Sequence, residues 1–595
     1  MNRPLLIFDG DCGFCRGWIA RWKQITRDRL DYAPFQEVAD RFPEITQAEF
    51  QTSVHFIDTQ GRHTRAAEAV CRLLAVGDRQ WPLWMYEHVP GARPFLEFLY
   101  RRIASHRTFF GYLTRWVWGA PPLQSTYQQT RALFLRGLAL VYFLAFTSLI
   151  PQIAGLIGTD GILPAARFLE QAQSLGMQRF FLLPTLAWFS ASTHVLQGFC
   201  IGGGLAALLA FLGFMPGFLF VVQWTLYVSV VTVGGDFLSF QWDALLLETG
   251  LMAIFFAPWR FTLRAAASDP ASRPILWLLR WLLFRLMLQS AWVKWFSGDP
   301  LWHHLTALTV HFETQPLPNI IAWWAHHLPV AILKILCAGL FFIEGVVPFF
   351  IFAPRRARFA ACGLLILLQS LIALSGNYCF FNVLTLVLCV TLLDDQLLRS
   401  VAPSFGDREK KNVFKSGVAF SLFLLSCMFW GFQMGWRPPA PIRRVAQAVY
   451  PFRSVNDYGL FAVMTPTRPE IEIEGSADGK TWKVYEFKYK PQALNRRPMQ
   501  VAPYQPRLDW QMWFAALSDY QHTPWFLSFC LRLLQGSEPV LSLLKANPFP
   551  GNPPRYIRAM IYEYHFTSLE EHRLTGQWWK RQYKGEYLPS ISLRR

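Results

Sequence analysis

Residues 197–234 read QGFCIGGGLAALLAFLGFMPGFLFVVQWTLYVSVVTVG, without one Asp, Glu, Lys or Arg. A bilayer's hydrocarbon core is about 30 Å thick, and a helix needs about 20 mostly apolar residues to cross it. The stretch supplies two such helices in succession, near 197–214 and 216–234. Seven further apolar stretches lie outward of it, near 133–150, 241–258, 274–296, 328–353, 359–376, 378–394 and 414–434. The chain therefore reads as a multi-pass α-helical membrane protein of about nine spans. A tenth apolar piece, 181–195, reads as a re-entrant or interfacial segment.

Composition agrees. Hydrophobic residues make up 53% of the chain and charged residues 16%, against roughly 25% charged in soluble domains. The 52 Phe and 25 Trp suit a lipid-facing surface with interfacial belts. The net charge of +18 could signal nucleic acid or an anionic membrane. The basic residues cluster between apolar stretches and no nucleic-acid motif is present, so they are read as topology signals.

The positive-inside rule tests the span count. With a cytoplasmic N-terminus, nine alternating spans place three basic loops inside. The first holds Arg260, Arg264 and Arg273; the second Arg355, Arg356 and Arg358; the third Arg399, Arg408, Lys410, Lys411 and Lys415. The loops assigned outside, 151–180, 235–240, 297–327 and 377, carry few Lys or Arg. The reading is a plasma (inner) membrane protein with its N-terminus cytoplasmic and its C-terminal region extracytoplasmic. The N-terminus lacks a signal-peptide core, because the short apolar run at 4–8 meets Asp9 and Asp11 at once.

Residues 1–120 read as a soluble, mixed α/β domain of thioredoxin-like type. Leu5–Phe8 and Ser53–Ile57 are strand candidates, and Gly13 to about Ile25 and Ala66–Ala75 are helix candidates. Residues 125–434 are the helical membrane region. Residues 435–595 read as a soluble α+β domain, with a hairpin over 471–488 turning at Asp478-Gly479, helices at Leu508–Leu517 and 524–546, and a strand over Arg555–Phe566.

The sharpest chemical motif is Asp9-Gly10-Asp11-Cys12-Gly13-Phe14-Cys15. Two cysteines at this spacing can close a disulfide at a helix start. The helix N-terminus favours the Cys12 thiolate, the attacking species, and Cys15, one turn on, is the resolving thiol. The alternatives are a zinc site and inert cysteines. Zinc needs about four ligands, and only His55, His63 and Cys71 stand near in sequence. The other cysteines are scattered and read as small apolar fillers.

This motif behind an apolar strand resembles the DCC family of thiol-disulfide oxidoreductases, over about residues 4–115. The resemblance implies a thioredoxin-like domain with Cys12 and Cys15 as the redox pair and Asp9 as the family's aspartate. It also implies a cellular thiol reductant or oxidant as partner. Residues 125–595 resemble the lipase maturation factor family. The carrying stretches are Gly158–Pro164, Gln241–Gly250, Phe284–Lys294, His311–Pro318, Asn377–Asn382, Pro503–Phe514 and Asn547–Pro550. That resemblance implies a membrane-embedded factor that helps exported lipases reach an active fold, with lipid and lipase-like clients as partners.

Asp243, Glu248, Arg285, Lys294 and Glu344 lie in or at the ends of spans, where ionisable groups are costly and face a partner or a cavity. Asp243 and Glu248 could pair with Arg285 or Lys294 as a clip between helices, or line a polar site. The alternative function rests on the second possibility: a membrane enzyme of carboxylase-like multi-pass type with a catalytic polar cavity. An outer loop carries His303, His304, His311, Glu313, His326 and His327, read as interfacial packing around Trp302, Trp323 and Trp324. Arg507, Asp509, Trp510 and Trp513 read as either core packing or client contact. No bound cofactor or metal and no nucleic acid are expected.

Overall fold

The computed structural model describes residues 3–118, 126–264, 269–398 and 412–593. Two compact units are distinguished, the first built on Met1–Ser125 and the second on the membrane helices together with the C-terminal region.

The first unit is a mixed α/β fold. Strand β1 (Leu5–Phe8) leads into helix α1 (Gly13–Thr26), and β2 (Asp31–Pro34) returns parallel to β1. Strands β3 (His55–Ile57) and β4 (His63–Arg65) are antiparallel additions, giving the order β2-β1-β3-β4. All four residues of β1 are buried because the sheet is covered on both faces. Leu5 and Ile7 pack with Phe35, Val38, Phe42 and Phe50. Leu6 and Phe8 pack with Ile19, Ala69 and Leu73 on the other side. This alternation is the period of two of a strand. Helix α2 (Gln47–Thr52) opens with a capping box between Thr46 and Glu49. Helices α3 (Ala66–Val76), α4 (Trp81–His88), α5 (Ala92–Ser105) and α6 (Arg107–Trp118) complete the unit.

In the second unit, seven helices among the described residues are long and apolar enough to cross a membrane. They are α7 (Gln128–Leu149), α8 (Thr193–Leu212), α9 (Pro216–Val233), α11 (Arg273–Phe296), α12 (Val330–Gly345, prolonged to Phe352), α13 (Arg355–Ser375) and α15 (Val413–Gln433). The other two expected spans are shorter helices, α10 (Gln241–Phe256) and α14 (Phe381–Val390). At 1.5 Å per residue, α14 is only about 15 Å long, half a bilayer core. It is enclosed by protein rather than lipid: Phe381, Leu384, Val387, Leu388 and Cys389 are all buried. The helices α11 and α15 mark the extremes of position. Of the most apolar window of α11, 72% is buried inside the protein, against 17% for α15, which presents its side chains outward.

Hydrogen bonds tie several of the segment ends together in two groups. In one group Asp395 accepts the N–H groups of Gln128, Gln129 and Thr130, capping α7 from far along the chain. Arg131 donates to the Asp269 and Pro270 carbonyls, Arg280 to Thr391, and Leu263 N–H to Gly213. In the other stand Gln152, Thr185, Asn377 and the C-terminal region.

The C-terminal sheet is antiparallel, in the order β6-β5-β7-β8, with β5 at Pro469–Ser476, β6 at Lys483–Val484, β7 at Tyr556–Phe566 and β8 at Trp579–Ile591. The Asp478 carboxylate accepts the N–H groups of Lys480 and Thr481 in the turn, which holds it well below the usual carboxylate range. Helices α16 (Arg507–Ala516) and α17 (Pro524–Leu534) pack between sheet and membrane helices. The expected helix over 524–546 stops at Leu534, and a further short turn covers Glu538–Leu541. One continuous apolar core runs from Phe134 and Leu245 in the membrane helices to Phe526 and Leu588 in the C-terminal region.

Candidate functional site

The Asp-x-x-Cys-x-x-Cys motif sits where β1 gives way to α1. Cys12 is the N-cap of α1, with extended backbone, and its Sγ accepts the Cys15 N–H at 3.4 Å. An N-cap position sets the Cys12 sulfur at the positive end of the helix. Both cysteines are half-buried and unbridged. They differ in surroundings. Cys15 packs against the β1 side of the core. Burial first, and the Cys12 thiol second, push its pKa up to about 12.

Asp9 ends β1 beside the motif. Its Oδ1 accepts from Asp11 N–H and from the Gln36 amide, each at 3.1 Å. Its Oδ2 is 3.7 Å from Arg107, which also donates to the Thr52 carbonyl at 2.8 Å. Arg107 draws the Cys15 proton affinity down and Asp9 raises it. Val54 lies opposite: its backbone N–H donates to the Tyr100 hydroxyl at 3.0 Å, just ahead of β3. Gln36, Tyr100 and Arg107 were not singled out by sequence. Gln36 follows β2, whereas Tyr100 and Arg107 lie on successive helices far along the unit, so no local pattern ties them to the motif. His55 and His63 stack on each other, with ring nitrogens 2.7 Å apart.

The membrane charges close on partners. Arg285 on α11 binds Glu248 on α10, and both are fully buried. Glu248 also accepts from the Tyr458 hydroxyl at 2.7 Å and the Asn456 N–H at 3.0 Å. The Lys294 Nζ is 2.6 Å from Glu344 on α12. Asp243 pairs with neither Arg285 nor Lys294. It takes a bidentate bond from Arg507 on α16, at 2.8 and 2.9 Å, and a third from Tyr227 at 2.5 Å. A fork of this kind is the strong form of an ion pair. The sequence could not couple residues 264 positions apart.

Several residues of the 297–327 loop are likewise engaged. Glu313 accepts from Phe566 N–H at 2.7 Å and stands 3.1 Å from His565 Nδ1. His311 meets the Tyr378 hydroxyl at 3.0 Å. Trp302 and Trp323 are buried, and Trp324 is exposed. Arg507, Asp509, Trp510 and Trp513 are all buried core residues, and Trp513 donates to the Thr314 carbonyl at 2.8 Å.

Comparison with known proteins gives the same division. Residues 6–111 match the model of a DCC1-like thiol-disulfide oxidoreductase. Residues 129–400 match the lipase maturation factor transmembrane domain, and 454–589 the lipase maturation factor C-terminal domain. Lipase maturation factor 2 of Homo sapiens is 38% identical, over 78% of this chain and 82% of its own length. The chain belongs to the lipase maturation factor family. Lipase maturation factor 2 of Gallus gallus is 36% identical, over 80% of this chain and 82% of its own. Lipase maturation factor 1 of Homo sapiens is 35% identical, over 79% of this chain and 88% of its own. No solved structure matches. This family member thus joins the maturation-factor membrane and C-terminal regions to an N-terminal DCC1-like domain.

Proposed function

We propose that this family member is a membrane-embedded folding factor for exported proteins of the lipase type, carrying a thiol-disulfide oxidoreductase domain. The observation that carries the reading is the identity of 35–38% to proteins named lipase maturation factors, over more than three quarters of the chain. The membrane charges favour a scaffold over a catalytic cavity, since each binds a buried partner. Loss of the chain from its host is expected to leave an exported lipase present in normal amount but inactive, with activity restored by re-expression. Full lipase activity without the chain would refute the reading.

In the redox domain, Cys12 Sγ attacks one sulfur of a substrate disulfide, and the first substrate thiolate leaves. Asp9 takes the Cys15 proton. Cys15 Sγ then attacks Cys12 Sγ, a Cys12–Cys15 disulfide forms, and the second substrate thiolate leaves. Two electrons pass to the substrate, and a cellular dithiol restores the pair. Supporting this are the N-cap position of Cys12, the half-buried Cys15, and the charges of Asp9 and Arg107 acting on it.

This reading puts the domain in the cytoplasm and the C-terminal region outside the cell membrane; the basic loops support it, though Arg399, Arg408, Lys410 and Lys411 of the third lie outside the described residues. A cytoplasmic pair would do reductive work apart from the exported client, because cytosolic thiols stay reduced. A membrane-impermeant maleimide is expected to label Cys12 only after cells are opened, with Cys12→Ser as control. Labelling of intact cells would place the pair with the client and make direct disulfide exchange the better account.

A further inference from the structure

The first unit carries an apolar and basic surface that its redox chemistry does not use. On α5, Phe95, Phe98 and Leu99 are exposed, at the i, i+3, i+4 spacing of one helix face. On α6, Phe109 and Tyr112 are exposed, three residues apart. On α4, Trp81 and Trp84 are exposed at the same spacing. Phe98, Phe109 and Tyr112 each show more than half of their surface, at 51%, 62% and 67%. Aromatic side chains this open outside the spanning segments call for a covering partner.

Charge identifies the partner. Residues 92–118 contain Arg93, Arg101, Arg102, Arg107 and Arg115 against the single acid Glu97. The acid is turned inward, accepting from the Tyr86 hydroxyl at 3.1 Å. Arg102 lies over the exposed Phe98 ring, 5.3 Å from its centre, so cation and ring share one face. Arginines beside exposed aromatic rings on short amphipathic helices suit the boundary between acyl chains and anionic headgroups.

Chain length supplies the second argument. Only residues 119–127 separate the end of α6 from the membrane-crossing α7. At no more than about 3.6 Å per residue, that segment reaches at most about 32 Å. The surface is therefore held at high effective concentration near the bilayer.

We infer that α5 and α6 dock on an anionic lipid surface through Phe95, Phe98, Leu99, Phe109 and Tyr112, with Arg101, Arg102 and Arg115 reaching lipid phosphates. Helix α6 also packs on α1, where Gly111 lies against Phe14 of the Cys-Gly-Phe-Cys turn. Docking thus fixes the cysteine pair at a set distance from the membrane, and it holds whether or not the pair cycles.

Hydroxyl-radical footprinting of the full chain in nanodiscs tests it, reading oxidation of Phe95, Phe98, Phe109 and Tyr112. In discs of about one-third phosphatidylglycerol, oxidation is expected to fall several-fold relative to pure phosphatidylcholine, and to recover at high salt. The variant R101E/R102E, altered only at exposed positions, is expected to stay oxidised in both lipids. Equal oxidation in the two lipids overturns the inference: high in both means a free surface, and low in both means that protein covers it. Cys12→Ser should leave the pattern unchanged, which separates this outcome from failure of the redox reading.

Discussion

Two cysteines one helical turn apart have unlike chemistry because one caps the helix and the other enters the core. In a Cys12→Ser chain, burial still holds the Cys15 thiol above the ordinary range. Its thiolate fraction then rises about tenfold per pH unit, so its alkylation rate should climb from pH 7 to 10 without a plateau. A plateau near pH 8.5 would mean that Cys15 is not buried as described. The same raised pKa makes ionised Cys15 unfavourable in the fold, so its linkage lowers stability as pH rises from about 9 toward 12. Asp9→Asn should slow closure of the Cys12–Cys15 disulfide by at least about tenfold at pH 7, followed by quenched mass spectrometry of the mixed disulfide. Among the membrane charges, Arg285→Ala strands Glu248 and should cost about 3–5 kcal/mol, read as thermal unfolding in detergent. Removing both charges, as Glu248→Gln with Arg285→Met, should recover part of that loss.

At the scale of elements, patterns with a strong local cause were legible. Strand β1, helices α1 and α3, the Asp478 turn and the long apolar spans all follow from runs and spacings inside one segment. Strand β2 was not legible, because Asp31–Pro34 is short and half-exposed and is a strand only by pairing with β1. Strand β8 was missed for a related reason: Arg581, Gln582, Tyr583 and Lys584 are exposed in succession, which hides the period of two. Close helix contacts were equally silent. Gly203 on α8 faces the Phe146 ring of α7, with no room for a Cβ. Gly203→Val should cost about 1–3 kcal/mol or more and lower the yield of folded protein from membranes. Gly198→Ala, with open space around it, should not.

For the whole molecule, the C-terminal region is bound into the membrane helices through their polar interior. Arg507 answers Asp243, Tyr458 and Asn456 answer Glu248, and Met464 N–H answers Asp299 at 2.7 Å. Gln152 donates to the Gln505 carbonyl and accepts the Arg507 N–H, and Asn377 holds Met499, Val501 and Ala502. A chain ending at residue 434 would leave Asp243 and Glu248 short of their C-terminal partners. It should fail to give a monodisperse species in detergent, whereas supplying residues 435–595 separately should restore some. Normal behaviour of the shortened chain would mean that these contacts are dispensable.

The sequence by itself determined the membrane character, the α/β start with its cysteine pair, and the family, because hydropathy, spacing and motif are local properties that survive without coordinates. Only the tertiary structure decided what each buried charge binds. An ion pair needs two groups within a few ångströms, and the fold brings Asp243 to Arg507 and Lys294 to Glu344 across several intervening helices. Burial then forces the pairing, since a lone charge in that core would be far costlier than the chain could sustain.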